Sequence, residues 1–129
     1  MNKKIKKIMA CLMATASLAT GMVGLSASAY TSADSYSEFT WYIEGTDAKA
    51  KLKNTSGTSR YAQVVVFSWG LDGSYKGQST PGYGNISNNG LVSTSGTPYG
   101  TSYEFDGTLY LTGLPQGTPI STWVKTLSR

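Results

Sequence analysis

Glu104 and Asp106 stand two positions apart and are the nearest pair of carboxyl groups in the chain. Two carboxyl groups flanking a glycosidic bond can hydrolyse it, one as general acid and the other as base or nucleophile. Close spacing along the chain does not by itself oppose them across a substrate. Asp106-Gly107 also reads as a two-residue β-hairpin turn, a pair favoured because both central positions of a type I′ turn need positive φ. Asp106 therefore has a sufficient structural role without a catalytic one.

The remaining catalytic repertoire is thin. No histidine occurs, which removes the usual Ser-His-Asp and Cys-His activation of a nucleophile and the imidazole ligands of most zinc sites. Neither Gly-x-Gly-x-x-Gly nor Gly-x-x-x-x-Gly-Lys is present, so no phosphate-cradling loop is expected. A serine–lysine dyad has no motif to support it. Asp34, Asp47, Asp72 and Asp106 offer oxygen ligands for calcium, but without the Asp-x-Asp-x-Asp spacing of a calcium loop. The sequence predicts a protein that is not an enzyme, with no cofactor and no metal.

Recognition chemistry is better represented. Residues 70–102 hold eight glycines and three tyrosines among many Ser, Thr and Asn residues, with only Asp72 and Lys76 charged. This mixture suits a binding loop, in which tyrosine gives contact area at low entropic cost and small polar residues adapt. Tyr75, Tyr83 and Tyr99, with Asn88 beside them, are the candidate binding residues, stacking on sugar rings or gripping a protein. The competing expectation is a polar connector whose tyrosines fold back over the core. A second candidate is the comb Lys49, Lys51 and Lys53, which could touch an anionic polymer but more often serves as a solvated face or a guard against edge pairing.

The elements that must carry these residues read as short strands. In residues 38–44, Phe39, Trp41 and Ile43 alternate with Glu38, Thr40, Tyr42 and Glu44, the period of a half-buried strand. In residues 48–53, Ala48, Ala50 and Leu52 alternate with the three lysines. Lysines at i, i+2 and i+4 would wrap around a helix rather than form one stripe. Residues 61–69 form an uncharged apolar run closed by Gly70, a central strand with Val64 and Val66 on the core face and Phe67 and Trp69 shielding the other. Asp72-Gly73 and Asn89-Gly90 signal hairpin turns flanked by short strands at residues 74–76 and 91–94. Residues 102–105 and 108–112 are the two arms of the Asp106-Gly107 hairpin, and residues 120–127 form a last strand. Residues 30–35 read as a loose leader and 113–119 as a crossover loop. Seven or eight short strands without a long helix predict an all-β antiparallel fold, a single small sandwich or barrel.

The first 29 residues read as a cleavable export signal. Lys3, Lys4, Lys6 and Lys7 precede an apolar stretch that ends in Ala27-Ser28-Ala29, the small-x-small pattern that signal peptidase accepts. Cleavage between Ala29 and Tyr30 is expected, leaving one domain over residues 30–129. Thr15, Ser17, Thr20, Gly21 and Gly24 make the stretch too weak for a retained membrane anchor. The only cysteine, Cys11, lies inside the signal, so the exported chain is free of disulfides. Of 11 basic residues, four lie in the signal, leaving seven against 7 acids and a neutral domain. A neutral domain has no long-range pull on nucleic acid or anionic membranes.

These features predict a secreted, extracellular, non-enzymatic β domain that binds a glycan or a protein, with no nucleic-acid partner. A bacteriocin-like antagonist of other cells and a small carboxylate-based glycoside hydrolase are the alternatives. Asn54-Thr55-Ser56 and Asn85-Ile86-Ser87 match the N-glycosylation acceptor pattern.

Overall fold

The computed structural model describes residues 29–111 and 117–129. The signal-peptide expectation for residues 1–28 and most of the expected 113–119 crossover lie outside them, Ala27 included. The described residues form nine strands: β1 (Ala29–Ala33), β2 (Ser37–Glu44), β3 (Asp47–Asn54), β4 (Arg60–Trp69), β5 (Tyr75–Gln78), β6 (Gly82–Ile86), β7 (Leu91–Ser93), β8 (Ser102–Tyr110) and β9 (Pro119–Ser128). All pairings are antiparallel, in a four-stranded sheet ordered β1-β2-β3-β7 and a five-stranded sheet ordered β5-β4-β8-β9, with β6 also paired to β4.

The alternation along each strand decides which face meets the other sheet. Phe39 and Trp41 of β2, Ala48, Ala50 and Leu52 of β3, Ala62, Val64 and Val66 of β4, and Tyr103, Phe105 and Leu109 of β8 form one buried cluster. The two inner faces meet around it in a sandwich-like arrangement. Phe39 lies 6.1 Å from Trp123 of β9, ring planes 4° apart, and 5.7 Å from Trp41. A cluster of this kind supplies the hydrophobic drive that a chain without disulfides must find in packing.

β4 runs through the middle, as the uncharged run from Tyr61 to Trp69 implies. Val64 and Val66 are fully buried, as expected for its core face. One side of β4 pairs along most of its length with β8. Its other side is shared by two short strands, β6 against residues 60–64 and β5 against residues 67–69. Ser79 fills the gap between them: its N–H donates to Val66 O at 2.8 Å, and its Oγ accepts from Val66 N–H at 3.0 Å. This accounts for a Ser-Thr-Pro break in the middle of the glycine-rich stretch.

Three sequence expectations are corrected and a fourth is refined in its loop length. Residues 30–35 are not a loose leader: β1 pairs with β2, and Tyr30 stacks on Trp41 at 5.8 Å. Asp106-Gly107 is not a turn but the middle of the continuous β8, with Asp106 opposite Val65 on one side and Val124 on the other. Gly107 is there for space, since a Cβ at this position would come within 2.6 Å of Phe39 Cε1. Asn89-Gly90 does turn the chain, with Asn89 at φ 71°, but it carries the chain from β6 in one sheet to β7 in the other instead of closing a hairpin. Asp72-Gly73 does close a hairpin, between β4 and β5, with Gly73 at φ 84° and Ser74 N–H bonded to Asp72 Oδ1, in a loop longer than two residues.

The sheets are also clasped by polar groups. The Asp34 carboxylate accepts from the N–H groups of Tyr36 (2.8 Å) and Ser37 (2.9 Å) and from the Ser121 hydroxyl of β9 (2.7 Å to Oδ2), while Trp123 Nε1 donates to Ser37 Oγ at 2.9 Å. Burial opposes ionisation of Asp34, but the bonds from Ser121, Tyr36 and Ser37 outweigh it and hold the carboxyl below its ordinary range. At the opposite extreme, Ser68 Oγ is buried on the core face with no hydrogen-bond partner among the described residues. A desolvated, unpaired hydroxyl destabilises the folded state. Ser68→Ala is therefore expected to stabilise the protein by about 1 kcal/mol, raising Tm by roughly 4–8 °C in a domain of this size, measured by thermal unfolding.

Candidate functional site

Residues on the odd positions of β4, Tyr61, Gln63, Val65, Phe67 and Trp69, point away from the core and are half-buried. Directly paired residues of antiparallel strands share a face, so the register assembles what surrounds them. Tyr75 of β5 sits opposite Trp69, and Tyr83 of β6 opposite Gln63. From β8, Glu104 lies opposite Phe67, Asp106 opposite Val65 and Thr108 opposite Gln63. From β9, Val124 and Thr126 flank Asp106 and Glu104 on the far side. The result is a broad outer face of the five-stranded sheet with rings at both ends and two carboxyl groups near its middle.

The rings are organised in two groups. Phe67, Trp69 and Tyr75 form a chain of contacts, 6.4 Å between the first two and 5.7 Å between the last two, the latter edge-to-face. At the other end Tyr61 meets Tyr110 of β8 edge-to-face at 5.9 Å. Trp69 and Gln63, the partners of Tyr75 and Tyr83, are six residues apart on β4, roughly 20 Å at the rise of an extended strand. Tyr75 is 55% exposed and Tyr83 65% exposed, so neither folds back over the core.

The other sequence candidates fall elsewhere. Tyr99, 60% exposed, lies in the loop between β7 and β8. The Arg129 guanidinium rests over its ring at 4.6 Å and reaches Gly45 O in the β2–β3 turn, so Tyr99 belongs to one end of the two sheets. Asn88 sits in the β6–β7 connection, where its Oδ1 accepts from Gly57 N–H at 2.9 Å and ties two loops together. Residues 70–102 are thus not one binding loop. They lay β5 and β6 along β4, then cross to the other sheet as β7.

The lysine comb is accounted for by its own sheet. Lys49 pairs with Glu44 at 3.2 Å, Lys51 lies over the Tyr42 ring at 5.8 Å, and Lys53 stands opposite Glu38. This outer face balances its own charge. The two glycosylation patterns also separate: Asn54 is fully buried, its Nδ2 donating to Thr58 O at 2.7 Å and Ile86 O at 3.1 Å, whereas Asn85 is exposed on β6.

The titration of Asp106, on the candidate face, is strongly moved. Burial between Val65 and Val124, then the hydrogen bond and negative charge of Glu104, push its carboxyl up to about 7. Asp106 Oδ1 is buried with no hydrogen-bond partner among the described residues, which fits a carboxyl that keeps its proton. A carboxyl that the fold keeps protonated costs stability once it ionises. Stability is therefore expected to be greatest near pH 4–5 and to fall as pH rises to about 7, by about 1–2 kcal/mol once solvent screening of this partly exposed group is allowed for. Asp34 acts in the opposite sense and loses its contribution as pH falls through the ordinary carboxylate range. Urea unfolding at pH 5 and pH 8 measures the difference, and Asp106→Asn should remove most of it.

Among the described residues no three His, Cys, Asp or Glu side chains gather to hold a metal ion, and no helix is long and apolar enough to cross a membrane. Set against known protein families, curated proteins and solved structures, the chain gives no significant match.

Proposed function

We propose that this chain is an exported, non-enzymatic β domain that binds a glycan outside the cell through the outer face of its five-stranded sheet. The observation that carries this reading is the gathering of Tyr61, Phe67, Trp69, Tyr75, Tyr83 and Tyr110 on one solvent-facing surface. Rings of this kind bind the flat C–H faces of sugars by stacking and leave the polar edges to hydroxyl and carboxyl groups. Gln63, Thr108, Glu104 and Asp106 supply such groups among the rings.

Export is carried by residues 1–29, cut between Ala29 and Tyr30. The lysine-rich start, the apolar stretch and Ala27-Ser28-Ala29 support it. Tyr30, first after the proposed cut, is already part of β1. The absence of an activated nucleophile favours binding over turnover.

Electrophoresis of the purified protein through gels cast with soluble polysaccharides tests the reading. Retardation by at least one neutral or charged glycan, without release of reducing sugar, is the expected result. Free migration through plant, fungal and bacterial wall polysaccharides alike would overturn it. N-terminal sequencing of secreted protein should read Tyr-Thr-Ser; Met1 at the N-terminus would refute cleavage.

A further inference from the structure

We infer that the glycan taken by this face carries positively charged amino groups, as a polymer of unacetylated amino sugars does. The inference rests on the glycan-binding reading above and adds the charge of the ligand to it.

Glu104 and Asp106 occupy the middle of the outer face, between Val65 and Phe67 of β4 and Val124 and Thr126 of β9. None of these neighbours is a cation. Lys76, the basic residue of β5, lies with its side chain against Gly70 beside Asp72, at the end of the sheet. Arg60 is engaged elsewhere, its guanidinium donating to Leu111 O at 2.5 Å and to Ser56 Oγ at 3.3 Å. Lys125 of β9 lies over the Trp41 and Trp123 rings, on the opposite side of the strand. The ion pair found among the described residues, Lys49 with Glu44, is on the other sheet. A neutral domain has thus placed two carboxyl groups between aromatic clusters and kept its own cations away from them.

An ammonium group complements this arrangement in three ways. It supplies the counter-charge, it donates hydrogen bonds to oxygens that accept them, and it is attracted to the faces of neighbouring Tyr and Trp rings. A second copy of the chain fits less well, because two-fold packing of this face on itself would bring like carboxyl groups together. A cationic peptide is usually held by adding a strand to a free sheet edge or by filling a pocket. The middle of this face offers side chains only, since β4 and β8 are paired on both sides. Stacked sugar rings need nothing more.

The test is a calorimetric titration of the purified protein at pH 6 with three hexamers: glucosamine, N-acetylglucosamine and glucose, the last two uncharged. Hexalysine is the peptide control. The glucosamine hexamer is expected to bind about tenfold tighter than either neutral sugar, a preference that shrinks with added salt as exposed charge pairs do. Glu104→Gln should reduce the ratio to about threefold or less, whereas Asp106→Asn, which replaces a carboxyl largely protonated at pH 6, should leave most of the preference in place, with circular dichroism confirming the fold of both. Equal binding of charged and neutral sugars would overturn the inference and leave glycan binding standing. Hexalysine binding tighter than every sugar would overturn it in favour of a peptide ligand. Binding to none of the four would overturn the inference, and with the gel result it would show whether the glycan reading falls too.

Discussion

Gly107→Val is expected to destabilise the protein by about 3 kcal/mol or more, a large share of the roughly 5–15 kcal/mol that holds a typical domain folded. A Cβ on residue 107 would stand 2.6 Å from Phe39 Cε1 and 2.8 Å from Cδ1. Ordinarily a ring tip can swing aside. Here Phe39 is fully buried and held between Trp41 and Trp123, and Trp123 is itself anchored to Ser37 Oγ. The clash therefore falls on the centre of the core rather than on its margin. Phe39→Ala alone should cost about 3–5 kcal/mol by leaving a cavity. The double variant should cost clearly less than the sum of the two, since the valine then enters the space the ring has left. Urea unfolding of the four proteins measures this coupling. Strict additivity would mean that Gly107 and Phe39 do not meet across the two sheets.

The second large effect concerns binding. Tyr75→Ala with Tyr83→Ala should weaken glycan binding about 30-fold, at about 1 kcal/mol for each stacked ring. Both rings are more than half exposed, so unfolding free energy should change by no more than about 0.5 kcal/mol each, as for other surface substitutions. Tyr99→Ala makes the contrast. Its ring is similarly exposed, yet it packs under Arg129 at the end of the two sheets, and its loss should alter affinity by less than about twofold. If Tyr99→Ala abolished binding while the double variant kept it, the ligand would sit among the end loops and not on the sheet.

These two predictions depend on features that differ in how far the sequence reveals them. Alternation within a single strand is a local property, and it was legible: Phe39 and Trp41 in β2, Ala48, Ala50 and Leu52 in β3, and Val64 and Val66 in β4 all face the core as their spacing implies. The exposed tyrosines of residues 70–102 were also legible as individual candidates. What the chain does not display is which strands become neighbours. Tyr83 reaches the same face as Trp69 because β6 borrows the half of a β4 edge that β5 leaves free, and no local pattern announces that sharing.

Asp106-Gly107 shows the same limit from the other side. Its dipeptide chemistry favours a turn, but the glycine answers to Phe39, sixty-eight positions earlier in the numbering. Tertiary packing overrode local preference, and the aspartate beside it was thereby released from a turn role and set beside Glu104 on the outer face. β1 is hard to see in the sequence for a related reason: an edge strand paired on one side needs little hydrophobic alternation of its own when a ring such as Tyr30 can stack on Trp41.

The central claim, that the outer face of the five-stranded sheet is where this protein meets a glycan, is tested most directly by an amide-resolved NMR titration with whichever polysaccharide fragment retards it. The largest shift changes are expected on residues 61–69, on Tyr75 and Tyr83, and on residues 104–108, with residues 38–53 nearly still. Changes concentrated on Tyr42, Lys49 and Lys51, or on the Tyr99–Arg129 end, would contradict it.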